Sequence, residues 1–362
     1  MVYSATSASA TLGGSSATVY LARQAVYAAL GLVGMIALSR FSYRLLRPLA
    51  PTLLMAALGL CLAVLVGGVA VNGARRWFVL GPISVQPSEL AKLALALWVP
   101  ACLARRGRPR TLGELVRPIG LMVGIAAGLI VIEPDLGTVV VIALMVSAAL
   151  TVAGTPLPLL ARMGACAGAL ALAAIWFQPY RRERMLAFLN PWADVQAAGY
   201  QTAQSLTSFG SGGIFGHGLG EGVQKIHYLP EAHTDMIAAV VGEELGLIGV
   251  SLLIVTFAVF AWAGLRIALS CRDPFGKMLA TSLTAMIAGQ AAINLAAVLG
   301  LLPLTGITLP FVSYGGSSLV VSLLAVGILL NIASSHDRES PTEMSDRRRR
   351  NGRAPAARAG CR

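Results

Sequence analysis

Long apolar runs separated by short polar segments dominate this chain, and the runs are continuous rather than alternating, which predicts α-helices and not strands. Nine of them approach or exceed the length that a bilayer demands: about 23–40, 49–71, 88–104, 117–133, 136–153, 156–177, 236–265, 278–301 and 314–334. A membrane β-barrel would need short alternating segments instead. The pattern therefore predicts an all-α polytopic membrane protein, a helical bundle of about nine transmembrane helices spanning 1–334. The longest polar interval, about 178–234, reads as a large extracytoplasmic loop. Residues 335–362, rich in Pro, Ala and Arg, read as a disordered basic cytoplasmic tail. Shorter polar elements at 72–89, 133–137 and 302–318 face the same side as the large loop, and their Gly and Pro suggest backbone turning at membrane depth under protein cover.

Composition agrees: 56% of the 362 residues are hydrophobic and 12% charged, which excludes a water-soluble globular domain. The five cysteines, Cys61, Cys102, Cys166, Cys271 and Cys361, stand singly, with no disulfide framework or zinc spacing. The net charge is +12; the tail holds eight arginines against four acids and so contributes +4, leaving +8 for the body. Arg40, Arg44 and Arg47, the cluster from Arg105 to Arg117, Arg266, Arg272 and Lys277 all fall on one side if the N-terminus is outside, as the positive-inside rule requires. The tail then attracts anionic lipid head groups rather than nucleic acid. Arg75, Arg76, Arg181, Arg182, Arg184 and Lys225 remain on the outer face, and an anionic substrate would account for them. Residues 1–20 carry no signal-peptide charge pattern, so an outside N-terminus leads to the expectation that a first helix is missing and that Met1 is an internal methionine.

Ionisable groups at the edge of membrane helices are costly and are functional candidates by default. Ten of the 16 acids fall at or near the outer face: Glu89, Glu133, Asp135, Glu183, Asp194, Glu221, Glu231, Asp235, Glu243 and Glu244. Asp235 is the best base among them, because it joins the long outer loop to a helix, where substrate can reach it and water can be excluded. The bland alternative is that Pro230, Glu231 and Asp235 merely start a helix whose dipole favours acids in its first turn. Glu243 lies about 12 Å deeper on that helix at 1.5 Å per residue, too far for the same proton, and is expected to pair with a cation. Glu231 would tune Asp235 or bind a metal, and His233 would hydrogen-bond Asp235.

Arg75, Arg76, Lys92 and Lys225 are the cations expected against phosphate oxygens, Arg as a bidentate fork and Lys as a point charge. Snorkelling interface anchors are the competing reading for Arg75 and Lys225. Lys92 lies one turn past Glu89 in an apolar helix and should pair with it. Gln290 and Asn294, at i and i+4, read as interhelical hydrogen-bond glue. The run GSGGIFGHGLGEG follows no strand, so its likeness to a dinucleotide fingerprint carries nothing, and no phosphate-loop or HExxH motif is present. Nucleotide and zinc chemistry are not expected.

The motifs GARRW (73–77), QPSELAK (86–92), EPDLGT (133–138), FLNPWAD (188–194), AGYQTAQSLTSFGSGGIFGHGLGEGVQK (198–225), HYLPEAHTD (227–235), GEELG (242–246) and LPLTGITLPFVSYGGSS (302–318) resemble those of the SEDS family (shape, elongation, division and sporulation). The likeness is closest to its FtsW and SpoVE branch, and weaker to RodA. It covers almost everything from Met1 to Ser334, at matching spacing. It implies a ten-helix, inverting peptidoglycan glycosyltransferase of the bacterial cytoplasmic membrane that polymerises lipid II, a disaccharide pentapeptide on undecaprenyl pyrophosphate. It implies, too, that the HTD aspartate, Asp235, is essential, and that a class B penicillin-binding protein and other division proteins are partners at the septum. A divalent cation, Mg2+ or Mn2+, is a candidate cofactor with no assigned ligands. Family members usually carry aromatic residues where this chain has Met236 and Ala238, and the basic tail is outside the shared pattern. The rival functions are a lipid II flippase, a RodA-like polymerase of elongation, and a catalytically idle scaffold.

Overall fold

The computed structural model describes residues 3–6, 17–71, 74–81, 83–192, 199–224 and 232–351. Its helices are α1 (Ala17–Arg40), α2 (Leu46–Gly67), α3 (Pro87–Arg106), α4 (Leu121–Ile132), α5 (Leu136–Val152), α6 (Leu157–Trp176), α7 (Pro179–Leu189), α8 (Tyr200–Gly212), α9 (Ile237–Ser270), α10 (Pro274–Val298) and α11 (Gly316–Asn351). Among the described residues eight helical segments are long and apolar enough to cross a membrane, α4 doing so together with the turns before it as Leu112–Ile132. The shorter apolar helix α5, with 17 residues, stands where the sequence places a ninth span. The protein is thus a multi-pass helical membrane protein.

In the two most buried helices low hydropathy goes with high burial, which shows what they face. The most apolar stretches of α3 and α10 have mean hydropathies of only 1.2 and 1.3 yet are 78% and 72% buried, whereas α2 reaches 2.4 and is 33% buried. Polar side chains tolerated only among other helices mark the centre of the bundle. α6 is 6% buried along its span and stands at the periphery. The α1–α11 pair packs tightly through small residues: a Cβ on Gly31 or Gly34 would lie 2.5 Å from the Leu323 or Leu324 side chain, and one on Gly327 2.5 Å from the Met35 carbonyl.

Three features depart from the pattern expected from the sequence. The outer segment after α2 is a three-stranded antiparallel sheet, β1 (Val69–Val71), β2 (Ala74–Leu80) and β3 (Ile83–Val85), with Ala70 opposite Arg75 and Val79 opposite Ser84. Its β-branched and aromatic residues, such as Trp77, Phe78 and Val79, suit a pleated surface. Within the long outer loop, α7 and α8 are regular helices, while 193–198 and 225–231 lie outside the described residues. The last helix continues to Asn351, so the segment from 335, which composition reads as unordered, has helical backbone that far; 352–362 lie outside the described residues. Arg, Glu and Met are good helix formers, and continuity with a spanning helix removes the cost of nucleation.

Candidate active site at the entry of α9

Asp235 is half-buried in the turn that leads into α9. Asn294 in α10 fixes that turn: its Nδ2 donates to the Asp235 carbonyl and to the Ile307 carbonyl, both at 2.8 Å. The Tyr314 amide donates to the His233 carbonyl at 2.8 Å, so the turn is tied to the 302–315 segment as well. Thr234 Oγ1 lies 3.3 Å from Asp235 Oδ1. A Cβ on Gly306 would sit 3.9 Å from Asp235 Oδ2, so a backbone without a side chain borders the carboxylate. Beneath lies an apolar floor of Ala232, Met236, Ile237, Ala238, Ala239, Leu295 and Val298. Met236 and Ala238, where aromatic residues were the expected pattern, are fully buried in it.

His233 belongs to an aromatic group. Its ring lies 5.9 Å from Tyr20 and 5.7 Å from Tyr314, and the two tyrosines are 5.5 Å apart, edge to face. The exposed Arg23, one turn further along α1 from Tyr20, places its guanidinium against the Tyr314 hydroxyl. The neighbouring Gln24 donates to the Ser313 carbonyl at 3.3 Å, fixing α1 against the same segment. Sequence reasoning passed over Arg23, although an arginine one turn inside the outer end of a span, on the side that the positive-inside rule does not favour, is a signal in its own right.

The other cations are engaged elsewhere. Arg76 donates from Nε to the Glu133 carbonyl at 2.5 Å and from Nη2 to the Pro134 carbonyl at 2.6 Å. Arg181 donates to the carbonyls of Val131 at 2.9 Å and Ala174 at 3.2 Å. Burial, and then the charge of Arg76, pull Arg181 below the usual arginine range. These two guanidiniums satisfy carbonyls that α4 leaves unpaired at its C-terminus and complement its dipole. Asp135 completes the junction by N-capping α5, its oxygens accepting from Thr138 N at 3.1 Å and Thr138 Oγ1 at 2.8 Å. EPDLGT and its arginines therefore form a structural joint. Arg76→Ala should cost about 2–3 kcal/mol through the lost charge-assisted bonds, read as a lower melting temperature. Arg76→Lys should recover little, because an ammonium cannot fork.

Arg75 is exposed and donates to the Val66 carbonyl at 3.3 Å. Lys92 is turned into the bundle, with Nζ 2.8 Å from Glu89 Oε1 and 2.6 Å from Gln290 Oε1, and does not face the outer surface as a phosphate ligand would. Gln290 in turn donates to the Thr308 carbonyl at 2.9 Å, so Gln290 and Asn294 tie α10 to the 302–315 segment rather than only to another helix. Among the described residues Glu243 meets no cation: its Oε1 accepts backbone amides from Val223 at 2.7 Å and Gln224 at 3.1 Å. The helix breaks just beyond it at Gly246, and the loop that docks on the break brings these amides within reach. Lys225 and Glu231 lie outside the described residues. The buried Glu133, whose carboxylate lies against the Cys61 thiol, carries no sequence signal that separates it from the other outer acids.

The family model of the FtsW, RodA and SpoVE cell cycle proteins matches residues 1–338. A protein of Trichlorobacter lovleyi named "Probable peptidoglycan glycosyltransferase FtsW" is 42% identical over 337 residues, covering 92% of this chain and 88% of its own. Stage V sporulation protein E of Bacillus subtilis is 38% identical, covering 92% of each. Among solved structures, one described as the structural coordination of polymerization and crosslinking by a peptidoglycan synthase complex aligns with a TM-score of 0.76 at 34% identity, over 88% of this chain and 90% of that one. The Thermus thermophilus rod shape determining protein RodA aligns at 0.69 and 31%, over 92% of each.

Proposed function

Since this chain belongs to the family of FtsW, RodA and SpoVE cell cycle proteins, we propose that it is a peptidoglycan glycosyltransferase that polymerises glycan strands from lipid II, with Asp235 as its general base. The observation that carries this reading is the placement of Asp235: a half-buried carboxylate on a turn pinned by Asn294 and Tyr314, above a dry apolar floor, at the mouth of a membrane helix. A lipid-linked substrate reaches such a group without leaving the bilayer surface.

The reaction follows from the groups present. Asp235 takes the proton from the acceptor sugar hydroxyl as its oxygen attacks the anomeric carbon of the donor sugar. The bond from that carbon to the pyrophosphate oxygen breaks on the opposite face, and the pyrophosphate leaves with the electron pair, inverting the centre. The negative charge it carries needs a cation held in place. Arg23, set against Tyr314 beside the His233 ring, suits that role. Among the described residues no three ligating side chains gather, so no step is routed through a protein-held metal. Arg23→Gln should weaken binding of undecaprenyl pyrophosphate about tenfold or more at unchanged melting temperature, measured by titration in nanodiscs.

Greater likeness to FtsW than to RodA supports a septal role in cell division, at the outer face of the bacterial cytoplasmic membrane. Likeness to a synthase complex that coordinates polymerization with crosslinking supports a class B penicillin-binding protein as partner. The test is glycan polymerisation from lipid II by the purified chain with that partner, wild type against Asp235→Asn. A flippase would tolerate the amide and make no strands; a polymerase makes strands only with the acid.

A further inference from the structure

Asp235 stands just outside the hydrogen-bond ladder of its own helix. The N-cap of α9 is Met236, whose carbonyl accepts the amides of Ala239 at 2.9 Å and Val240 at 3.4 Å. The carbonyl of the residue before an N-cap takes no part in the helix, so no repeating bond fixes the Asp235 backbone. A base nevertheless has to be held to a fraction of an ångström of the proton it takes. Ile307 is in a like position: residues 303–309 form neither helix nor strand, yet Ile307 is buried, and its carbonyl needs a donor from elsewhere in the fold.

One side chain serves both carbonyls. Asn294, 2% exposed on the buried helix α10, donates from Nδ2 to the Asp235 and Ile307 carbonyls, each at 2.8 Å. An amide nitrogen carries two hydrogens, and both are used. The two carbonyls flank the reacting group: one is that of Asp235 itself, and the other follows Gly306, whose Cβ position lies 3.9 Å from Asp235 Oδ2. We propose that Asn294 is a positioning residue for Asp235, fixing with a single amide the gap between the carboxylate and the Gly306 backbone in which the acceptor hydroxyl has to fit. This role presupposes Asp235 as the base of polymerisation. Being buried, Asn294 acts through Asp235 and not on the substrate.

Asn331 in α11 provides a matched comparison at the opposite end of the bundle. It is 5% exposed and also makes two backbone bonds, its Oδ1 accepting the Tyr43 amide and its Nδ2 donating to the Ser39 carbonyl, both at 2.9 Å. The experiment measures kcat and KM for lipid II, per folded protein and beside a thermal melt, with the full chain and its transpeptidase partner, for Asn294→Ala, Asn294→Asp, Asn331→Ala and Asp235→Asn. Asn294→Ala should lower kcat about tenfold or more with KM within about twofold, because a misplaced base costs turnover and not affinity. Asn294→Asp keeps the volume but donates to at most one of the two carbonyls, and only when protonated, so it should lower kcat as well. Asn331→Ala should lower the melting temperature and leave kcat within about twofold of wild type, since it loosens the fold far from the reaction. Wild-type kcat in a folded Asn294→Ala, a raised KM at unchanged kcat, or an equal fall in kcat in Asn331→Ala overturns the proposal. Should Asn294→Ala not fold, Asn294→Asp decides on the same terms. Wild-type activity in Asp235→Asn would instead sink the reading beneath it.

Discussion

Asp235→Asn will abolish glycan polymerisation while leaving expression, membrane insertion and partner binding intact. The substitution keeps the volume of the side chain and removes its ability to take a proton. Loss of a positioned base typically costs about two to four orders of magnitude in rate. The backbone of the turn is held through the Asp235 carbonyl and the His233 carbonyl rather than through the carboxylate alone, so the turn should survive the change. Strand synthesis from labelled lipid II, followed on gels beside a thermal melt, separates chemistry from folding. Activity within a few-fold of wild type in a well-folded variant would remove Asp235 from the reaction.

Lys92→Ala will destabilise the folded protein by about 3–5 kcal/mol, the cost of breaking a buried ion pair on one side. With its side chain 1% exposed and that of Glu89 7%, removal of the ammonium leaves a carboxylate stranded in the bundle and Gln290 Oε1 without a donor. Because Gln290 also holds the Thr308 carbonyl, the damage reaches the 302–315 segment that borders Asp235. Replacing both charges, Lys92→Met with Glu89→Gln, should recover most of the lost stability, since two matched neutral groups leave no uncompensated charge. Thermal unfolding in detergent is the measurement. A Lys92→Ala variant that melts like wild type but no longer binds lipid II would return Lys92 to the substrate.

Which residues attract attention was legible in the sequence, and how they are used was largely not. The entry of α9 at Asp235 follows from a polar loop meeting an apolar run, and the Glu89–Lys92 proximity follows from one turn of helix. Arg76 shows the limit. An arginine on the outer face reads as a ligand for an anion, yet its fork is occupied by two carbonyls more than fifty positions away. Glu243 was expected to seek a cation, and among the described residues its partners are amides of a loop docked at the break in its own helix. Arg23 and Tyr314 are 291 positions apart, and no local pattern couples them.

By itself the sequence determined the class, the approximate places of the spans and the acid at the mouth of α9. Those properties depend on hydrophobic length and on the cost of charge in a membrane, which are read one segment at a time. Only the tertiary structure decided which helices are central, that the outer segment after α2 is a sheet, that EPDLGT is a joint gripped by Arg76, and that the glycine run mends the break at Gly246. Those depend on which hydrogen-bonding groups meet across the bundle. A buried polar group takes whatever partner the fold brings to it, and its neighbours in the chain do not reveal that partner.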